Sequence, residues 1–360
     1  MLTNIKNKKW FIPVASVFLV ILAFSSFYFK NNILHAETNK TEASSPNPAE
    51  EKIDDLINSA NLFGTVAIVK DGEFVYTNSY GLSNKDKNIK NTTDTIYPIA
   101  SLQKNMTAVI IAQLISEDKL TYDTTLTDFY PDLEHADEIT IRQLIDHTSG
   151  YVMPEVSIGK VLTTEDEQLA NALETSVFQD NNNYNYSNGN YTLLAGIIKK
   201  LDDMPYEESL QKRILDPLEM NNTYLWNHLP KGKTIPTEYY HRNDSDYVTD
   251  GAVYSEELMS TLLGAGNLYS TAKDVATFEI SLNNGVLLKD EDYLELLGIE
   301  HNQLIERTGN ISSEGTRGGY SSYLYGDITN QNVIIFLSNQ SKDEYPEQLM
   351  TNMYEQLLLL

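Results

Sequence analysis

The 360 residues include no cysteine. That absence excludes disulfide scaffolds, Cys-based zinc sites, iron–sulfur clusters and thiol nucleophiles together. Basic residues are scarce: 26 Lys and Arg stand against 51 Asp and Glu, a formal charge of −25. A surface of that sign disfavours a general nucleic-acid partner, because a polyanion as dense as nucleic acid is repelled. Cationic or zwitterionic ligands are weakly favoured. The six histidines form no i, i+3 or i, i+4 pair suited to zinc. There is no G-x-S-x-G nucleophile elbow and no internal repeat. Gly264-Ala265-Gly266 lacks the third glycine of a dinucleotide fingerprint and reads as a turn. Asp244, Asp246 and Asp250 have the wrong spacing for a calcium loop and read as a solvated loop. No metal and no cofactor is expected. What the chain does have is apolar and aromatic bulk, 41% hydrophobic residues with 23 Tyr and 11 Phe. That is enough to offset the ordering entropy of a large domain.

Lys6, Lys8 and Lys9 precede an uncharged run, Trp10 to Phe29, interrupted by Pro13 and three serines. Twenty residues at about 1.5 Å each span about 30 Å, the thickness of a hydrocarbon core. Residues 1–9 are read as a cytoplasmic segment and 10–29 as a membrane anchor in contact with the lipid bilayer. The lysines hold the N-terminus inside and put the rest of the chain outside. The alternative is a secreted protein cleaved near Ala36. Residues 30–50, rich in Thr, Ser, Asn, Pro and Glu, read as a linker.

From 51 to 360 the patterns are those of one globular domain. Ile53, Leu56, Ile57 and Ala60 recur at helical spacing. Thr65–Lys70 and Phe74–Tyr80 read as strands joined at Asp71-Gly72, a hairpin signal. Met106, Val109, Ile110 and Leu114 mark a buried helix. Residues 120 to 260 are dominated by helical patterns. Strand patterns return at Gly319–Tyr325 and Val333–Ser338, before an amphipathic helix at Pro346–Leu359. The expected fold class is α+β, an antiparallel sheet completed from both ends with a helical lobe inserted.

Ser101 and Lys104 lie three residues apart where an extended segment turns into the buried helix. That spacing puts hydroxyl and amine on one helix face. The helix N-terminus and burial both disfavour an ammonium there, so the lysine is suited to take the serine proton. The first backbone N–H groups then face a developing oxyanion. Alone, the pair also fits a serine cap followed by a surface lysine. Tyr186 and Asn188, two residues apart in an Asn- and Tyr-rich loop, offer a proton relay and an amide-binding group. Alone they also fit a polar turn before a helix. The tyrosines of 181–191 suit glycan contact and packing equally well. His147 invites a Ser-His-Asp reading, but a buried, hydrogen-bonded structural histidine is the expectation.

Taken together and in order, these segments resemble the serine beta-lactamase and penicillin-binding-protein superfamily, in its class C-like branch of D,D-peptidases and esterases. The resemblance runs from about Ala60 to Ser338. It rests on Phe63-Gly64, Asp71-Gly72, Ile99 to Lys104, Ile139 to Gly150, Tyr186-Ser187-Asn188 and Gly264 to Thr271. It implies a beta-lactamase/transpeptidase-like fold with the site in a cleft between sheet and lobe. By the same resemblance Ser101 is the acyl-accepting nucleophile, Lys104 its base partner, Tyr186 the proton shuttle, and Asn188 a holder of the substrate amide. Which of Lys104 and Tyr186 takes the first proton stays open, because the two titrate together.

The third family motif is altered. Relatives carry a basic residue, then any residue, then Gly, on a strand lining the cleft; this chain has Ser313-Glu314-Gly315. By resemblance the N–H of Thr316 completes an oxyanion hole with that of Ser101. Arg317 is the candidate replacement for the missing cation. Without such a cation a carboxylate-terminated substrate is disfavoured, whereas a D-alanyl ester exposes an ammonium that tolerates Glu314. A solvent-facing Glu314 without a role is equally compatible. The reading is an extracellular, membrane-anchored serine hydrolase acting on cell-wall peptide or D-alanylated teichoic acid, as a D-Ala–D-Ala carboxypeptidase or a D-alanyl esterase. A non-catalytic penicillin-binding sensor or scaffold is the alternative, and a beta-lactamase ranks below it.

Overall fold

The computed structural model describes residues 47–179, 183–251, 254–282, 284–298, 310–341 and 346–360. The membrane anchor expected at 10–29 lies outside them. Among the described residues no helix is long and apolar enough to cross a membrane.

Two strands with nearly continuous apolar sequence organise the domain. A seven-stranded sheet contains β1 (Phe63–Lys70), β2 (Glu73–Tyr80), β3 (Tyr239–Arg242), β4 (Ser245–Val248), β5 (Asn310–Arg317), β6 (Tyr320–Asp327) and β7 (Val333–Ser341). Its main path runs β2-β1-β7-β6-β5, all antiparallel. Side chains alternate between the faces of a strand, so residues 66–69 of β1 and 333–337 of β7 are apolar at every position because both faces are covered there. Val66 and Ile68 on β1, with Ile334 and Phe336 on β7, face one buried cluster; Ala67, Val69, Val333, Ile335 and Leu337 face the other. The β1–β2 hairpin turns at Asp71 and Gly72, φ 52° and 79°, the left-handed pair that a two-residue hairpin requires.

Each face has its own helices. α1 (Pro48–Ala60) and α6 (Glu347–Leu357) pack together on the first face, burying Ile53, Ile57, Met350, Met353 and Leu357. The second face meets the lobe that contains α2 (Gln103–Ser116), α3 (Asn188–Asp202), α4 (Ala272–Ile280) and α5 (Asp290–Leu296). Ten of the fourteen residues of α2 are buried, the signature of a helix enclosed on all sides.

The structure departs from the sequence reading in three places. α1 starts at Pro48, inside the stretch assigned to the linker. The Asn47 side chain accepts from Ala49 N at 3.0 Å and Pro48 opens the helix, the capping arrangement a helix start favours. Within the interval 120–260, β3 and β4 belong to the sheet, β3 pairing in parallel with the end of β7; these four-residue strands are too short to show an alternating pattern. Asn188 is the first residue of α3 rather than part of a loop.

Phe336, 1% exposed beneath α1 and α6, tests this layering. Phe336→Ala is expected to destabilise the domain by about 3–5 kcal/mol, read from urea unfolding. A loss under about 1 kcal/mol contradicts the packing described.

Candidate active site

Ser101 sits on a constrained turn. Tyr97 and Pro98 pair with Ser270 and Tyr269, Ile99 N donates to Leu268 O at 3.0 Å, and a single 3-10 turn, Ala100–Leu102, leads into α2. Ala100 holds φ at 45°, a left-handed conformation that costs a non-glycine residue on the order of 1 kcal/mol or more. Its surroundings impose it. Ser322 Oγ donates to Ile99 O at 2.7 Å and to Gly315 O at 3.1 Å. Gln103 Oε1 accepts from Asn267 N at 2.6 Å and Leu268 N at 3.0 Å. Gly315 on β5 comes so close that a Cβ there would lie 2.7 Å from Ser101 N, and only glycine permits that approach.

Lys104 is 5% exposed and its Nζ has three oxygen neighbours: Ala265 O at 2.6 Å, Asn188 Oδ1 at 2.7 Å and Ser101 Oγ at 3.1 Å. Burial brings its pKa down from 10.5 to about 7; Glu155 raises it and Arg317 lowers it further, both by smaller amounts. A neutral amine has two N–H groups and one lone pair. The two shorter contacts use the N–H groups, which leaves the lone pair for the Ser101 hydroxyl. Tyr186 Oη lies 2.5 Å from Ser101 Oγ. Burial raises the phenol's pKa, with the Ser101 hydrogen bond opposing it, so it remains an O–H donor. This arrangement can draw a proton off Ser101 toward the amine and supply another through the phenol.

α3 presents Asn188 and closes the network. His147 is 7% exposed; its Nδ1 accepts from Ser187 N at 3.2 Å and lies 3.3 Å from Asn190 Nδ2. Burial, then Lys104, pushes its pKa down to about 4, so it is a neutral ring that braces the Tyr186–Asn188 segment, with its face 4.5 Å from that of Tyr186.

These groups open into a cleft of about 530 Å³, whose walls include Ser313, Glu314, Thr316 and Arg317 from β5. Gly315 lies behind them against Ser101. Arg317 is 13% exposed on its side chain and is paired: Nη1 donates to Glu155 Oε2 at 3.4 Å. The other Glu155 oxygen accepts from Asn188 Nδ2. Two carboxylates, Glu155 and Glu314, therefore line the cleft with one guanidinium. Among the described residues no cluster of three His, Asp or Glu is placed to hold a metal ion.

Glu155 and Gln103 were not singled out from sequence. Glu155 belongs to no motif and lies five residues past the segment ending at Gly150. Gln103 occupies a spacer position between Ser101 and Lys104; a fully buried amide there had no sequence signal beyond its place on an otherwise apolar helix.

The profile of the beta-lactamase family matches residues 50–357. PbpX of Bacillus subtilis, described as penicillin-binding, is 25% identical over 312 residues, 85% of this chain and 78% of that protein. The teichoic acid D-alanine hydrolase of Staphylococcus aureus is 27% identical over 237 residues, 64% of this chain; the match spans 57% of that hydrolase. Among solved structures, FmtA of Staphylococcus aureus superposes with a TM-score of 0.73 at 21% identity, covering 91% of this chain and 95% of that one. A D-amino acid amidase from Ochrobactrum anthropi, solved with L-phenylalanine amide, gives 0.67 at 22%, covering 86% and 96%.

An amine held near pKa 7 is a base only above that pH. The pH profile of kcat/KM is expected to fall as pH drops through about 7, and Lys104→Ala to lower kcat by about 10²–10⁴. His147, already neutral there, contributes no step between pH 5 and 9. A flat profile removes Lys104 from the base role.

Proposed function

Since this chain belongs to the beta-lactamase family and is a serine hydrolase, we propose that it releases D-alanine from D-alanyl esters of the bacterial envelope, D-alanylated teichoic acid first. The observation that carries this reading is the charge of the cleft. Ser313 offers no cation, and the guanidinium of Arg317 is already paired with Glu155. A free carboxylate entering the cleft would meet Glu155 and Glu314 with no unpaired cation, an expensive burial. With Glu155 and Arg317 offsetting each other, Glu314 leaves these three groups net negative, which favours an α-ammonium over a carboxylate.

The chemistry follows from the contacts. Lys104 takes the Ser101 proton as Oγ attacks the ester carbonyl. The developing oxyanion is held by the N–H groups of Ser101 and Thr316. Tyr186 gives its proton to the departing alcohol oxygen and is reprotonated through Lys104, leaving a D-alanyl ester on Ser101. Water then attacks that ester; the same pair removes its proton and returns one to Ser101 Oγ, freeing D-alanine. In this reading Glu155 holds the substrate ammonium while Asn188 steadies Glu155. A non-catalytic penicillin sensor would need neither a lysine relieved of its charge nor a phenol at the serine. The run Trp10–Phe29 is proposed to tether the domain outside the cell, where these polymers lie.

D-alanine release from D-alanylated lipoteichoic acid and from a D-Ala–D-Ala-terminated peptide, with Ser101→Ala as blank, tests the reading. Release is expected from the teichoic acid and not from the peptide. Glu155→Gln is expected to raise KM for D-alanyl esters roughly tenfold more than for N-acetyl-D-alanyl esters, which share every effect of the substitution except loss of the ammonium contact. Release from the peptide alone assigns a carboxypeptidase.

A further inference from the structure

Beside the catalytic cleft lies a second cavity of about 340 Å³ that shares Asn105, Tyr191 and Ser313 with it. Its walls are mostly aliphatic, with Ala108 and Val109 from α2, Leu282 beyond α4, Leu296 from α5, Ile311 from β5 and Leu324 from β6. An apolar cavity of about 150 Å³ suffices for benzene. One carboxyl faces this space. Glu279 on α4 is 2% exposed, and its Oε1 accepts a single long hydrogen bond, 3.4 Å from Asn105 Nδ2. Burial pushes its pKa up to about 8, so at neutral pH it is an uncharged acid with an O–H to donate. A mostly apolar chamber with a single buried carboxyl, opening onto the cleft that holds Ser101, has the make-up of a small-molecule subsite.

β5 sets which side of the reaction this chamber serves. Gly315 packs on Ser101 at the middle of the cleft-lining stretch. Ser313 and Arg317 lie on either side of it, about 13 Å apart at strand rise. Arg317 and Glu155 mark one end, the chamber the other. With the D-alanyl ammonium at Glu155, the ester's alcohol points toward Ser313. We propose that the cavity is a leaving-group subsite that takes a neutral alkyl or aryl group on the alcohol, with Glu279 as the one carboxyl facing it. The side assignment rests on the D-alanyl reading above; occupancy by an apolar group does not, and the polar polyol phosphate of a teichoic acid would pass the chamber by.

Hydrolysis of the methyl, butyl and benzyl esters of D-alanine tests it, since the three alcohols differ little in acidity. Each methylene buried is expected to raise kcat/KM about fourfold, so the butyl and benzyl esters exceed the methyl ester by tenfold or more. Ala108→Phe fills the chamber, and Leu297→Trp narrows it from a rim position 42% exposed, where folding is not at stake. Both are expected to abolish the gain and spare the methyl ester. Ligand-observed NMR of benzyl alcohol with Ser101→Ala protein reads occupancy without turnover, and the signal is expected to disappear when either chamber variant is added. A flat ester series, a preference that both variants keep, or no benzyl alcohol binding overturns the proposal. Benzyl alcohol binding with no D-alanyl ester cleaved overturns the D-alanyl reading and leaves the chamber standing.

Discussion

The removal of one amine from water governs the rest of this site. Lys104 is enclosed by Asn188, Ala265 and Ser101, and an ammonium in such a place loses hydration that three neutral oxygens do not fully replace. Burial brings the pKa of Lys104 to about 7, so above that pH the amine is mostly neutral, and a neutral amine can accept a proton only where its lone pair points. Two fixed acceptors determine that direction. Asn188 is fixed by the start of α3, Ala265 by the chain that Gln103 grips at Asn267 and Leu268. The helices of the lobe therefore act as a clamp on the orientation of a single nitrogen, and the strained turn at Ala100 brings the serine to meet it.

Charge in the cleft is distributed by the same economy. Arg317 is largely enclosed and would be costly unpaired, so Glu155 has a structural reason to be there; Asn188 ties that carboxylate to the catalytic centre. The ion pair thus links β5 to α3 across the mouth of the cleft. It neutralises the Arg317 cation and the Glu155 carboxylate together. Glu314, exposed on the neighbouring position of β5, leaves these three groups net negative.

Much of this was legible in the sequence where local chemistry is strong. The β1–β2 hairpin announced itself through Asp71-Gly72, the buried helix through its apolar run, and Ser101, Lys104, Tyr186 and Asn188 through spacing and order. The structure brings these four within hydrogen-bonding reach. What stayed hidden depends on partners far along the chain. Nothing near Glu155 says that Arg317, more than 150 positions later, will meet it. Gln103 reads as a spacer until Asn267 is beside it. The strand β5 was legible only through the family motif at Ser313-Glu314-Gly315, because Asn310–Arg317 is polar on an edge that faces the cleft and no alternation of apolar residues marks it.

The pairing of β1 with β7, Phe63 opposite Gln340, has a consequence for how such a chain comes into being. The sheet's central partner is separated from β1 by the whole helical lobe, so loop closure across that distance precedes any stable core on either face. A growing chain carries β1 and β2 as a hairpin with one open apolar edge for most of its synthesis. Such an edge invites pairing with other chains. The cellular machinery that handles this protein must therefore shield a sticky hairpin until nearly all of the polypeptide is available, and a nick anywhere in the lobe before that point leaves two fragments, neither with a closed sheet.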